Sequence, residues 1–167
     1  MTLRLSQIRY DGVWYNDVPV FYDLLNNLMV SSADGILYGI RSDKLTDVLL
    51  SNHHFIYVDA HKYGNLNPGY YDQLYNGKSE VLVKRACRAL KLAGEVTVEV
   101  YYENKDFIYI KKGGQYMPVT GKGSLLNILS DKSEQLKQYL SANRMNFSKD
   151  KENTIVRLAA YYDQAKN

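Results

Sequence analysis

The chain of 167 residues holds one cysteine, three prolines and one tryptophan. A single cysteine cannot close an internal disulfide, so no cystine framework holds this fold, and Cys87 is expected to be a small buried core residue. No apolar run reaches the roughly 18 residues that a membrane-spanning helix needs. The opening MTLRLSQIRY has no apolar h-region, so no signal peptide is read there. No charge of one sign dominates either: 21 basic and 18 acidic residues leave +3. The most basic run is Lys84, Arg85, Arg88 and Lys91. On a strand these divide between two faces and make no stripe, which argues against nucleic-acid binding.

Complete catalytic signatures are missing as well. Gly121-Lys122-Gly123-Ser124 puts glycine where a phosphate loop needs Ser or Thr for magnesium, and Tyr116 where its first glycine belongs. There is no G-x-S-x-G. Ser51 stands near His53 and His54, but adjacency in sequence is not a triad. The pairs Asp43/Asp47 and Glu99/Glu103 are placed like solvated strand-edge charges. Asp59 and His61, two residues apart on an extended strand, are the only pair close enough to share a metal ion, and a third ligand would have to come from elsewhere. The chain is therefore expected to be non-enzymatic and to need no metal or cofactor.

What is abundant is tyrosine, 16 residues against four phenylalanines. Tyrosine joins a large apolar ring to a polar tip, so it suits half-buried sheet positions and interfaces alike. Tyr63, Tyr70, Tyr71 and Tyr75 cluster around a loop-rich segment, and Trp14 and Tyr15 flank a turn. Loops on a rigid β-scaffold are where function concentrates, which makes these six the candidate binding residues.

The patterning predicts an α+β fold in one domain, residues 1–167. The β-rich part, residues 1–119, is an antiparallel meander curling into a sandwich or a partly closed barrel, and residues 120–167 are helical. Period-two alternation runs through residues 2–8, with turns at Asp11-Gly12, Asn16-Asp17, Asn26-Asn27 and Asp34-Gly35. Further strands are expected over 36–41, 46–51, 53–60, 79–92 and 95–102, broken at Gly94 and closed by a polar turn at 103–106. Residues 69–76, with Tyr70, Tyr71, Leu74 and Tyr75 at helical spacing, read as a short helix ending at Gly77. Residues 107–119, FIYIKKGGQYMPV, read as a tight hairpin with Ile108 and Ile110 towards the core. Beyond it the period becomes 3.6: helices over 122–129, over 131–143 behind a capping box of Asp131 and Glu134, and over 149–164 capped by Ser148.

Four stretches carry a resemblance: GVWYNDVPVFYDLLNNLMV, GYYDQLYNGKSEVLVKR, the hairpin FIYIKKGGQYMPV, and the tail LLNILSDKSEQLKQYL followed by FSKDKENTIVRLAAYYD. In these the chain resembles a functionally uncharacterised group of exported proteins from Bacteroidota. The resemblance implies a periplasmic or envelope-facing protein whose signal peptide has been removed, with the cytoplasm as the alternative setting. It brings no activity and no site residues. The expected function is binding of another macromolecule, most simply a protein, through the tyrosine-rich surface. The alternative is a glycan- or small-ligand-binding module that uses Trp14 and the tyrosines as stacking platforms, and the third is a hydrolase with an unrecognised site.

Overall fold

The computed structural model describes residues 2–93 and 98–165. Ten strands alternate with a few short helices, an α+β arrangement: β1 (Arg4–Tyr10), β2 (Val13–Asp23), β3 (Leu28–Ala33), β4 (Ile36–Gly39), β5 (Leu45–Leu50), β6 (His53–Val58), α1 (Ala60–Tyr63), β7 (Gly69–Tyr75), β8 (Val81–Ala93), β9 (Val98–Lys112), β10 (Gln115–Pro118), α2 (Lys122–Ile128), α3 (Ser133–Ala142) and α4 (Lys151–Gln164). The strand order is β10-β9-β8-β7-β6-β5-β1-β2-β3-β4, and every registered pair is antiparallel. The order has two ends, so the sheet is not closed.

The chain divides into two compact units. One comprises Met1–Asp59, Pro68–Asp72 and Lys84–Asp106, the other Ala60–Asn67, Gln73–Val83 and Phe107–Asn167. The division cuts through β7, β8 and β9, so it does not fall at the change from strand to helix after Val119.

In the first unit the hairpins follow from turn chemistry. Asp11-Gly12 and Asp34-Gly35 take positive φ at both positions, as a type I′ turn requires. The expected turn at Asn16-Asp17 is instead a bulge inside β2. Ser6 pairs with Val18 but Ile8 with Tyr15, and Asp17 sits at φ +56°. The core gathers Ile8, Val20, Met29, Leu45, Val48, Phe55 and Tyr70. The Tyr22 ring meets Phe55 and Tyr70 edge-on at 5.0 and 6.0 Å, and Tyr57 meets Tyr70 at 5.2 Å.

The segment expected as a helix at 69–76 is the strand β7. Gly69, Tyr70, Tyr71 and Asp72 are all buried, so both faces of β7 are covered there and no alternation was available to read. The polar turn expected at 103–106 is the middle of β9. The strand start at Glu95 and the break at Gly94 lie outside the described residues.

In the second unit, Val81, Val83, Ile108 and Ile110 from the strands pack with Leu125, Leu129, Leu136, Leu140, Ile155 and Leu158. Each such side chain contributes about 1.5–3 kcal/mol when fully buried. The 3.6-residue stripes set this packing: Ile155, Leu158 and Ala159 of α4 are all buried. Two expected caps are absent. Asp131 lies in a single 3-10 turn, Ser130–Lys132, and its carboxylate accepts from Lys112 Nζ (2.5 Å) and the Tyr162 hydroxyl (2.7 Å), so it is drawn into tertiary bonds and not onto the helix end. The N-cap of α4 is Asp150, two residues past Ser148.

Candidate functional site

Of the six aromatic residues singled out from sequence, two are buried and four are divided between the two units. Tyr70 and Tyr71 are 0% and 2% exposed, so their rings belong to the core. Tyr63 of α1 is half-buried, its ring 6.1 Å from that of Tyr116. Tyr75 donates its hydroxyl to Asp163 (3.1 Å). These two belong to the second unit, Trp14 and Tyr15 to the first. Trp14 and Tyr15 are each 47% exposed on β2, where their alternation sends them to opposite faces.

Tyr15 joins Tyr10 and Tyr38 in lining a groove of about 410 Å³, with Val18 and Ile40 as its apolar wall and Arg41 at one side. Tyr38 belongs to β4, the terminal strand of the order, and all four residues of β4 are exposed. The edge that β4 presents can be worked out from its register. Ile36 pairs with Ala33 across a two-residue turn, Tyr38 pairs with Ser31, and the Ile40 N–H donates to the Met29 carbonyl at 2.8 Å. The even-numbered residues therefore spend their backbone groups on β3. Leu37 and Gly39 point theirs outward, and no described strand takes them.

The other end of the order is treated differently. On β10, Gln115 pairs with Lys112 across Gly113-Gly114, so Tyr116 and Pro118 face outward. Tyr116 N–H donates to Asn65 Oδ1 (3.1 Å) and the Tyr116 carbonyl accepts from Asn65 Nδ2 (2.6 Å). One carboxamide thus imitates a neighbouring strand, and Pro118 has no N–H to offer. Natural edges are usually blunted in this way. The edge of β4 carries Ile36, Leu37 and Tyr38 and has neither device.

A second and larger groove, about 900 Å³, also lies in the first unit. Its polar wall is built on a buried carboxylate. Asp72 is 1% exposed, and its Oδ2 accepts from His53 Nδ1 (2.6 Å), Arg85 Nε (3.1 Å) and Arg85 Nη2 (2.7 Å). Arg85 Nη1 continues to Asp106 (2.7 Å). Among the described residues the Asp72 Oδ1 finds no donor. A carboxylate only accepts, so His53 Nδ1 carries a proton towards Asp72 and Nε2 is turned away from it. The ring is further held by stacking on Phe55, with centroids 5.6 Å apart. Cys87 lines this groove half-buried, and is not the core residue its hydropathy suggested. Asp72 carries no signal of this role in the sequence, where the run around it has helical spacing.

Near this wall Asn27, at φ +53°, offers one amide oxygen to three donors: the Tyr22 hydroxyl (2.6 Å), Lys84 Nζ (2.8 Å) and the Tyr70 N–H (3.3 Å). Burial pushes the Lys84 ammonium down to about 8. Burial likewise raises the Tyr22 phenol well above its ordinary value, helped by the charges of Tyr71 and Asp23.

Asp59 follows the end of β6, and His61 lies in α1, in the other unit. The strand alternation that would have paired them stops at Val58. Among the described residues no group of three or more His, Cys, Asp and Glu side chains is placed to hold a metal ion. Among them, too, no helix is long and apolar enough to cross a membrane.

No protein-family model, no curated protein and no solved structure matches this chain.

Proposed function

We propose that the protein is a non-enzymatic binding module that docks an extended segment of a partner protein along β4. The observation that carries this is the contrast between the two terminal strands: β10 is closed by Asn65 and Pro118, whereas β4 leaves the backbone groups of Leu37 and Gly39 open. A strand added there gains main-chain hydrogen bonds at those two residues. The Tyr10–Tyr15–Tyr38 groove beside it receives alternate side chains of the incoming strand. This keeps tyrosine at the centre of recognition, with Tyr15 and Tyr38 in place of the buried Tyr70 and Tyr71. The periplasmic or envelope setting, and kinship with the exported Bacteroidota group, are proposed on the four sequence patterns alone.

The test couples capture to location. Partners retained from envelope extract by the full chain are added back, and amide hydrogen exchange is followed on β4. Protection at Leu37 and Gly39, with capture lost in Leu37→Lys, supports the reading. Capture that leaves both amides unprotected, or that survives Leu37→Lys, overturns it. A concentration-dependent dimer protected at the same two amides would make a second copy of the chain the occupant, and would equally overturn a separate partner.

A further inference from the structure

We infer that the 900 Å³ groove of the first unit is a binding site for an uncharged saccharide, a site separate from the β4 edge. Its volume lies within the range of small-ligand sites, roughly 300–1,000 Å³. The inference rests on which of its groups are committed and which are open.

The charged groups of the lining balance, and all but Arg4 are held by carboxylate or amide partners; Arg4 reaches Ser51 Oγ at 3.4 Å. Two guanidinium groups, Arg4 and Arg85, face two carboxylates, Asp23 and Asp106. Arg85 is bound by Asp72 and Asp106, and Asp23 accepts from the Leu25 and Asn26 N–H groups and from the Asn26 carboxamide. With Asp72 behind this lining the wall carries no excess of positive charge for a polyanion, and its carboxylates are already committed, which leaves little for an organic cation. The open groups are of another kind. They are the exposed carboxamides of Asn52 and Asn104, with His53 Nε2 turned away from Asp72. A carboxamide is an uncharged donor and acceptor, which is the complement of a hydroxyl, itself donor and acceptor at once.

The geometry adds two features. The His53 ring is fixed from behind by the buried Asp72 and from the side by Phe55, so its Nε2 is preorganised and little freedom is lost on binding. Tyr102 stands two residues from Asn104 on β9, so the two share a face, and its ring is 68% exposed. An exposed ring beside a row of neutral polar groups provides a flat apolar platform for the C–H face of a sugar while its hydroxyls meet the amides. An extended peptide would want a free backbone edge, and this wall is built of side chains.

The experiment uses the full chain with cellobiose, maltose and N,N′-diacetylchitobiose as probes, and glucuronate and inorganic phosphate as charged controls. Binding is followed by saturation-transfer NMR and titration calorimetry. At least one of the three disaccharides is expected to bind saturably, with its Kd raised about tenfold in Tyr102→Ala and in Asn104→Ala and unchanged in Trp14→Ala. Both groove positions are exposed, so the variants should melt like the parent chain, and a loss of binding then reports on the site. Absence of binding by all three sugars overturns the inference. So does sugar binding that survives both groove variants, or binding of the charged probes in preference to the neutral ones.

Discussion

His53 and Arg85 share a single oxygen: Nδ1 of the one and Nη2 of the other lie 2.6 and 2.7 Å from Asp72 Oδ2. The carboxylate they share is buried, whereas the His53 side chain is partly exposed. Asp72 therefore orients two groove residues at once, and its removal takes a close counter-charge from a largely buried guanidinium. Asp72→Asn is expected to cost about 3 kcal/mol, as breaking a buried pair from one side does. Urea unfolding checks this. Replacing Asp72 and Arg85 together by Leu and Met should recover most of the loss, because no unpaired charge then stays inside.

Gly69 is the most closely packed of the described glycines in the first unit. Its φ is +137°, and a Cβ placed there would overlap the Asn27 amide and the Lys84 ammonium. Gly69→Ala therefore combines backbone strain with overpacking and should destabilise by roughly 2–4 kcal/mol. Thermal melting reads this directly. Gly113→Ala, where a Cβ meets open space, should lose less, from strain at φ +60° alone.

The two sheet ends predict opposite outcomes. Asn65→Ala uncovers the Tyr116 N–H and carbonyl on β10 and should cost about 1–2 kcal/mol, with an added tendency to self-associate. Leu37→Lys on β4 touches no internal hydrogen bond and should leave stability within about 0.5 kcal/mol. Denaturant midpoints with light scattering distinguish the two.

Stability should also follow pH in a defined way. Lys84 titrates near 8 when folded and at 10.5 when unfolded, so between these values the unfolded chain binds more protons. Stability then rises as pH climbs through that window. Tyr22 and Tyr70 are raised above their ordinary 10.0, chiefly by burial, so their contribution is whole below that pH and is lost above it. A stability maximum at about pH 10 follows. Unfolding measured from pH 8 upward in Lys84→Met should lack the rising limb and keep the alkaline fall.

Much of this architecture was legible in the chain. Asp11-Gly12, Asp34-Gly35 and Gly113-Gly114 read as turns because few residue pairs accept positive φ twice. Ile108 and Ile110, buried where Tyr109 is only half-buried, followed from alternation. The stripe of Ile155, Leu158 and Ala159 followed from the helical period. These signals are local, since each depends on neighbours within one turn or one strand.

The candidate sites were not legible, and the reason is physical. In 69–72 a strand buried on both faces has no period of two, and its tyrosines fall at helical spacing, so nothing in the run marks Asp72 as buried. His53 and Arg85 lie 19 residues before and 13 after it, and only the packing of β6, β7 and β8 brings them to one oxygen. The exposure of β4 likewise depends on strand order, which no property of Ile36, Leu37, Tyr38 or Gly39 encodes. Sequence alone determined the turns, the helical stripes and the antiparallel α+β character, because those are set by backbone sterics and by apolar periodicity along the chain. Tertiary structure decided which carboxylate is buried, which edge stays open and which amides face a groove, because these depend on what distant segments place against each residue.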